Sequence, residues 1–276
     1  MKKWFAVIGD PIAQSKSPDM HQAWYEEMGV DAAYIPVHVK PENLEQAVAS
    51  FKLLGASGWN VTIPHKQTII PFLDELDELA KKMGAVNTVV RDSDGKLKGY
   101  NTDGPGFVRS LEEAVGTEHR NEALLLIGAG GAARGIAFAL QQAGYRNITI
   151  ANRTLANAQA IVREMGAGQA VTMSQAEQKL DTYKIFVQTT PAGMSTGNFD
   201  LPFSLEKFPE GAIAADIVYN PLMTPFLLAA EQKGAKIVNG LGMFVHQGAI
   251  AYEHWLGSYP NTNGTIARLT EQLGGK

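Results

Sequence analysis

The segment Leu124–Gly135, with the sequence LLLIGAGGAARG, decides the fold of the chain. It begins with four apolar residues and continues into closely spaced glycines, and a segment rich in Ala, Phe and Leu follows. This order predicts a strand, a tight turn and a helix, and Gly128, Gly130 and Ala133 have the spacing of a dinucleotide-binding turn. The turn would bring a pyrophosphate to the unpaired N–H groups at the helix N-terminus. Because glycine-rich turns are common, the motif alone is weak.

Length and composition exclude several classes of protein. The chain has 276 residues, 45% hydrophobic and 19% charged, with a net charge of −4 and no cysteine. The length favours two domains, and the scattered charges argue against nucleic-acid or membrane partners. Disulfides, thiolate metal sites and cysteine nucleophiles are excluded. No apolar run approaches the roughly 20 residues that span a bilayer, and the first is too short for a signal peptide. We therefore expect a soluble cytoplasmic protein.

Alternating strands and helices occur on both sides of residue 103. From Trp4 to Asp103 they predict a mostly parallel sheet, and the hairpin signal at Asp92–Gly95 adds an antiparallel edge. A second series begins at Ala123 and predicts a doubly wound, Rossmann-type domain. No strand is predicted after Gly240, and we expect the two helices there to return to the first domain. The predicted class is α/β, with a mixed-sheet domain of residues 1–103 plus 241–276 and a Rossmann domain of residues 104–240.

The residues after the second strand of the Rossmann series indicate which dinucleotide binds. An NAD-binding domain usually has an acidic residue there, which hydrogen-bonds the ribose. This chain has Asn152, Arg153 and Thr154 instead. A guanidinium pairs well with a phosphate, whereas an acid would repel it. A lone arginine is usually a solvated surface residue, but its place in the motif favours NADP.

Three polar clusters follow predicted strands in the first domain. They are Gln14–Pro18, Trp59–Lys66, and the pair Gly84–Thr88 with Gly99–Gly104. Each has a simple structural explanation: Ser15, Ser17 and Asp103 could cap helices, and Lys66 could be a solvated charge. Three clusters in one small domain are nevertheless what a polyhydroxylated ligand requires. The six histidines show no metal-ligand spacing, so no metal site is predicted.

Taken together, these motifs resemble the shikimate/quinate dehydrogenase family, in the family's order across nearly the whole chain. The segments that carry the resemblance are Val7–Pro18, Asn60–Lys66, Gly84–Thr88, Gly99–Gly104, Gly128–Ala132, Asn152–Thr154 and Asn239–Met243. Three places depart from the family pattern: Gln14, where His is frequent, Gln188–Met194, and Asn239, where Asp is common. The second departure touches the cofactor side.

The resemblance implies an NADP-dependent interconversion of 3-dehydroshikimate and shikimate in aromatic amino acid biosynthesis. Lys66 matches the catalytic lysine and Asp103 its carboxylate partner. The implied substrate-binding residues are Ser15, Lys16, Ser17, Asn60, Thr62, Asn87, Asp103, Tyr219 and Gln247. The implied cofactor-binding residues are Gly128, Ala129, Gly130, Gly131, Ala132, Asn152, Arg153, Thr154, Ile217 and Gly240. The family includes monomers and homodimers.

Two other interpretations remain. A quinate/shikimate dehydrogenase paralogue with relaxed substrate or cofactor choice would share every motif. A non-catalytic metabolite-binding protein of the same fold should have lost Lys66 or Asp103, or carry a basic DNA-binding extension. Both residues are present and the chain has no such extension, which favours an enzyme whose partners are small molecules only.

Overall fold

A computed structural model describes residues 2–193 and 204–275 of the chain. The chain forms two compact units. The first contains Met1–Thr102 and Gln247–Thr265, and the second contains Asp103–His246 and Ile266–Lys276. Asp103 and residues 241–246 and 266–276, which we expected in the first domain, therefore group with the second unit. The assignment of functions to the two domains stays a prediction.

The first unit is built on six strands with helices between them. In chain order its elements are β1 (Lys3–Gly9), α1 (Ser17–Glu27), β2 (Ala32–His38), α2 (Leu44–Leu54), β3 (Gly58–Val61), α3 (His65–Thr68), β4 (Glu75–Leu76), α4 (Glu78–Met83), β5 (Thr88–Arg91) and β6 (Leu97–Tyr100). The order of the strands in the sheet is β2-β1-β3-β5-β6-β4. The strands β2, β1 and β3 are parallel, and the predicted hairpin β5–β6 pairs antiparallel to β3.

Two details of this sheet correct the sequence prediction. The pattern of Asp74–Met83 predicts one helix, but Glu75–Leu76 pairs with β6 as a short parallel strand. The helix α4 begins only after Asp77, whose carboxylate accepts hydrogen bonds from the backbone N–H groups of Leu79 and Ala80. As a consequence β4, and not the hairpin, forms this edge of the sheet.

The second unit contains the predicted doubly wound sheet. Its elements are α5 (Asp103–Val115), β7 (Leu124–Ile127), α6 (Gly131–Gln142), β8 (Ile148–Ala151), α7 (Leu155–Met165), β9 (Gln169–Val171), α8 (Met173–Glu177), β10 (Ile185–Gln188), β11 (Ile213–Asp216), α9 (Pro225–Gln232) and β12 (Lys236–Val238). The strand order is β12-β11-β10-β7-β8-β9 and every pairing is parallel. This is the Rossmann order, so the α/β fold class with a mixed sheet and a Rossmann-type sheet is confirmed.

Two helices follow β12, as predicted: α10 (Gly240–Leu256) and α11 (Thr262–Gln272). The sequence pattern predicts helices over Met243–Trp255 and Pro221–Gln232. The helix α10 begins three residues earlier than Met243, and α9 begins at Pro225 rather than at Pro221. The side chain of Thr224 accepts a hydrogen bond from the N–H of Leu227, so it caps α9 and fixes its start. Residues 221–224 belong to the preceding turn.

Each sheet packs against an apolar core. In the first unit Ile8, Phe51 and Trp59 belong to one core cluster, and in the second Ile127 and Phe186 belong to another. Burial of these side chains orients the strands, and the polar residues that follow them are placed at the strand ends. Within residues 2–193 and 204–275, no helix has the length and apolar character needed to cross a membrane.

Candidate functional site

Asn60 is the centre of a buried polar network in the first unit. Its side-chain nitrogen donates to the backbone carbonyl of Asn87 over 3.1 Å and to the hydroxyl of Thr88 over 3.0 Å. A carbonyl only accepts hydrogen bonds, so this contact fixes the orientation of the Asn60 amide. The Oδ1 atom therefore faces the Tyr34 hydroxyl, which donates to it over 2.6 Å.

The side chain of Asn87 joins this network to the end of β6. Its Oδ1 accepts from the backbone N–H of Thr102 over 2.8 Å, and its Nδ2 donates to the Thr102 hydroxyl over 2.9 Å. Asn60 and Asn87 are 7% and 3% exposed, respectively. Most of their hydrogen-bonding capacity is thus used inside the unit, and the network holds the backbone that leads directly to Asp103.

The serine cluster at the start of α1 differs from the expected cap. Lys16 is the N-cap residue, it makes no side-chain capping bond, and it is exposed. Ser17 is the first helical residue and is buried. The hydroxyl of Ser15 accepts a hydrogen bond from the Ser17 N–H over 3.3 Å, so Ser15 stabilises the helix start and Ser17 is not the cap.

Tyr34 was not recognised in the sequence, although it connects two predicted substrate residues. Its hydroxyl is hydrogen-bonded to the Ser17 side chain and donates to Asn60. Because the single Tyr34 proton goes to Asn60, Ser17 is the donor in the other bond. Burial raises the pKa of Tyr34 well above its ordinary value. The alternation of apolar and polar residues along a strand predicts only that a tyrosine at this position is buried. The hydrogen bonds of its hydroxyl could not be predicted from the sequence.

His21 lies behind Tyr34 and supports it. The two rings stack with their centroids 4.3 Å apart and their planes 1° from parallel. Neither ring nitrogen of His21 has a hydrogen-bond partner in the described part of the chain. Burial lowers the pKa of His21 to about 3, so the ring is neutral and packs as an aromatic residue. No cluster of metal-ligating side chains occurs in residues 2–193 and 204–275.

Three further predicted polar residues of the first unit are Thr62, Lys66 and Gln247. Thr62 directly follows β3, and a Cβ atom on Gly9 would come within 2.6 Å of its Cγ2. Lys66 is half-buried in α3, and its carbonyl accepts from the N–H of Val86 over 2.7 Å. Gln247 lies in α10 and is half-buried. Asp103 belongs to the second unit, where it is the first residue of α5, so its pairing with Lys66 stays a prediction.

The glycine turn has the geometry that its sequence predicts. Gly128 has a φ of +112°, and a Cβ atom there would lie 2.6 Å from Oγ1 of Thr189. At Gly130 and Gly131, in contrast, a Cβ atom would meet no protein atom within 4 Å. The first glycine is therefore required by the fold, and the other two leave open space in front of the helix. The N-cap of α6 is Gly130, which has no side chain to cap the helix, and an uncapped helix N-terminus is a typical place for an anion to bind.

The residues after β8 lie beside this turn. The N–H of Gly128 donates to the carbonyl of Ala151, the last residue of β8, over 2.8 Å. Asn152 donates from its side chain to the carbonyl of Thr154 over 2.9 Å, and Arg153 between them is exposed. Arg153 thus lies exposed directly after β8 and beside the glycine turn, and its pairing with a ribose phosphate stays a prediction.

Two departures from the family pattern have structural explanations. The Oε1 of Gln188 accepts from the N–H of Thr190 over 2.8 Å, and the Thr189 hydroxyl donates to the carbonyl of Ile127 over 2.7 Å. The side chains of Gln188 and Thr189 thus stabilise the turn after β10 through hydrogen bonds to the backbone. Met194, at the end of that motif, lies outside the described residues. The Oδ1 of Asn239 accepts from the N–H of Leu241 over 3.1 Å and so binds the first turn of α10, as an aspartate would.

The turn after β11 contains Ile217 and Tyr219, and it is held by a residue that we did not predict. Asp216 is 1% exposed, and its carboxylate accepts from the N–H of Val218 and from the hydroxyl of Thr224. Burial raises the pKa of Asp216 to about 6, although these hydrogen bonds act in the opposite direction. Tyr219 stacks on Phe244 with ring centroids 4.8 Å apart. A single acidic residue at the end of a strand is usually solvated, so no sequence signal distinguished Asp216.

Three family models match the chain in the order of its elements. They are described as the shikimate dehydrogenase substrate binding domain over residues 7–89, shikimate / quinate 5-dehydrogenase over residues 110–195, and the shikimate 5′-dehydrogenase C-terminal domain over residues 240–269. The shikimate dehydrogenase (NADP(+)) of Lysinibacillus sphaericus (strain C3-41) is 70% identical over 275 residues, covering 100% of both chains. The chain belongs to the shikimate dehydrogenase family.

Solved shikimate dehydrogenases agree with the fold. The enzyme from Thermus thermophilus, in complex with NADP(H) and shikimate, is 35% identical with a TM-score of 0.87, covering 98% of this chain and 99% of its own. The enzyme from Listeria monocytogenes, in complex with shikimate and NAD, is 33% identical with a TM-score of 0.90, covering 97% and 96%. The resemblance to this family that the motifs indicated is confirmed.

Proposed function

We propose that this family member catalyses the reversible NADPH-dependent reduction of 3-dehydroshikimate to shikimate in the biosynthesis of aromatic amino acids. The observation that carries the proposal is the full-length, 70% identity to a relative named NADP(+)-dependent shikimate dehydrogenase. The open glycine turn at Gly130 and Gly131 and the exposed Arg153 support NADP as the cofactor. The buried amide–hydroxyl network around Asn60 supports a substrate with several hydroxyl groups.

The residues that bind substrate come mostly from the first unit. The hydroxyls of Ser15 and Ser17 hold the carboxylate, and for this the Ser17 proton turns from Tyr34 towards the ligand. Asn60, Asn87, Asp103 and Gln247 fix the hydroxyl edge. Since the donors of the Asn60 amide are used within the network, Asn60 accepts a hydrogen bond from the ligand with its remaining Oδ1 lone pair. Lys16, Thr62 and Tyr219 complete this shell.

The cofactor is bound by the second unit. Gly128, Ala129, Gly130, Gly131 and Ala132 surround its pyrophosphate, and Arg153 with Asn152 and Thr154 binds the 2′-phosphate. Ile217 and Gly240 contact the nicotinamide end through their backbones. The cofactor, when bound, supplies the hydride that the protein itself cannot provide.

The protein supplies and accepts the proton that is transferred in the reaction. During reduction the Lys66 ammonium stabilises the negative charge that develops on the C3 oxygen and donates a proton to it. In the opposite direction the neutral amine accepts that proton, and Asp103 is the carboxylate partner that orients the Lys66 side chain. These roles follow the residues that match the family motif.

The alternative is a quinate/shikimate dehydrogenase with relaxed specificity, and the description of the second family model includes quinate. Initial rates of cofactor reduction, measured by absorbance with shikimate or quinate and with NADP+ or NAD+, separate the two. The proposal predicts the highest kcat/KM with shikimate and NADP+. Comparable rates with quinate would favour the alternative, and no turnover with any pair would favour a non-catalytic binding protein. We also propose a cytoplasmic location and a monomer or homodimer.

A further inference from the structure

The carboxylate of Asp216 organises the turn that connects β11 to α9. Its Oδ1 accepts from the N–H of Val218 over 2.9 Å, and its Oδ2 accepts from the hydroxyl of Thr224 over 2.8 Å. The N–H of Ile217, which donates to the carbonyl of Gln188 over 3.2 Å, adds a further favourable interaction with the carboxylate. One buried side chain thereby ties the first two residues of the turn to its last residue.

No charged side chain in the described residues acts on this carboxylate. Its partner in register on β10 is Gln188, the neighbouring pair towards β12 is Ala215 with Val238, and Thr224 faces it at the start of α9. A buried carboxylate without a counter-ion costs free energy unless several donors surround it. The hydrogen-bond donors around Asp216 therefore explain why a carboxylate occurs at this position. An amide has only one accepting oxygen and could not replace both oxygens of the carboxylate.

The turn that Asp216 fixes is packed closely against the start of α10. The N–H of Gly240 donates to the carbonyl of Val218 over 3.1 Å. A Cβ atom on Gly240 would collide with the carbonyl group of Ile217. Only a glycine at position 240 lets the two backbones approach so closely. The contact also requires that the Ile217–Val218 backbone be held in one conformation.

We propose that Asp216 is a positioning residue for the nicotinamide end of the cofactor. Its carboxylate sets the direction of the Ile217 and Val218 peptide groups, so that the backbone of Ile217 and the adjoining Gly240 form a preorganised surface for the nicotinamide carboxamide. This inference rests on the proposed function, because it takes Ile217 and Gly240 as the residues in contact with the nicotinamide. It adds a residue that contacts neither substrate nor cofactor.

Binding of two ligands to the full-length protein tests the proposal. NADP+ carries the nicotinamide, whereas 2′-phospho-ADP-ribose is the same molecule without that ring. We expect Asp216→Asn to weaken the binding of NADP+ about tenfold in titration calorimetry, as the loss of hydrogen bonds to a charged group implies. Binding of 2′-phospho-ADP-ribose should change less than about twofold, because the glycine turn and Arg153 are untouched.

A pair of variants at Thr224 keeps the test decisive if Asp216→Asn does not fold. Thr224→Val removes the hydroxyl that bonds Oδ2, and Thr224→Ser retains it. The valine variant should weaken NADP+ selectively, and the serine variant should bind both ligands as the unaltered protein does.

Equal weakening of both ligands, or unchanged NADP+ binding in both Asp216→Asn and Thr224→Val, would overturn the proposal. The proposed function fails in a different way: the unaltered protein would then bind neither NADP+ nor 2′-phospho-ADP-ribose.

Discussion

The hydroxyl of Tyr34 donates a hydrogen bond to Oδ1 of Asn60 over 2.6 Å. The same hydroxyl is bonded to Ser17, so one buried phenol links two segments that are distant in the chain. Asn60 and Ser17 both belong to the proposed substrate shell. Their relative position therefore depends on Tyr34 although this residue is itself fully packed, with His21 stacked on its ring.

Removal of this hydroxyl should impair substrate binding. In Tyr34→Phe the Oδ1 of Asn60 loses its donor, and an unsatisfied buried acceptor costs about 1–3 kcal/mol. We expect the KM for shikimate to rise about tenfold with a much smaller change in kcat. The matched control is Tyr25→Phe, because the buried Tyr25 hydroxyl has no hydrogen-bond partner within the described residues. If both variants changed KM equally, the hydrogen bond between Tyr34 and Asn60 would have no role in substrate binding.

Substitutions at two glycines of the turn should have different effects, one on stability and the other on cofactor binding. Gly128→Ala forces a Cβ atom onto Thr189 and into a backbone region that L-residues avoid, so it should lower the free energy of unfolding by about 1–3 kcal/mol. Gly130→Ala meets no protein atom, so it should leave Tm unchanged and raise the KM for NADP+. Thermal unfolding and steady-state kinetics of the two variants check this. The reverse assignment of effects would show that the pyrophosphate does not approach Gly130.

Arg153 should determine the preference for the phosphorylated cofactor. Arg153→Ala removes the guanidinium proposed to pair with the 2′-phosphate, so kcat/KM for NADP+ should fall roughly 10- to 150-fold, which corresponds to about 1.5–3 kcal/mol of lost binding free energy. The value for NAD+, which lacks that phosphate, should change little. Arg163→Ala is the control, since Arg163 is an exposed arginine near the end of α7. Parallel losses for both cofactors in Arg153→Ala would refute this role.

The buried carboxylate of Asp216 should leave a signature in the pH dependence of stability. Its pKa is about 6 in the folded chain and about 3.9 in an unfolded one, so the folded chain binds the proton more tightly. The contribution of this group to the free energy of unfolding is therefore largest at low pH. It decreases as the pH rises from about 4 to about 6, by up to about 3 kcal/mol.

Urea unfolding at several pH values, compared between the unaltered protein and Asp216→Asn, measures this contribution. The difference between the two should vary with pH in that window because asparagine does not titrate. A constant difference would mean that Asp216 keeps an ordinary pKa in the folded chain.

The architecture was largely predictable because it depends on local patterns. Apolar runs between helical segments indicated both sheets, and the turn at Gly128 indicated the Rossmann order. The helix prediction at Glu75–Leu76 is wrong because a two-residue strand has no pattern of its own and forms only through pairing with β6. The predicted start of α9 is too early because the cap at Thr224 depends on a turn organised by Asp216.

Site residues that belong to a sequence motif could be predicted. Residues that act by positioning a neighbouring residue could not. Asn60, Asn87 and Arg153 occur in motifs whose chemistry can be interpreted from the sequence. Tyr34 and Asp216 are recognisable only from their hydrogen-bond partners, which lie on other segments of the chain. Long-range partners of this kind cannot be inferred from spacing along one sequence.

The most direct test of the account is the rate of NADPH formation from shikimate and NADP+ in the unaltered protein and in Lys66→Ala, measured side by side. The unaltered protein should turn over. In the variant, kcat should fall far more than KM rises, because the proton donor and acceptor is gone while the binding residues remain. Lys81→Ala, at an exposed lysine paired with Glu78, should behave as the unaltered protein does. Unchanged turnover in Lys66→Ala would contradict the assignment of Lys66, and no turnover in the unaltered protein would contradict the proposed activity itself.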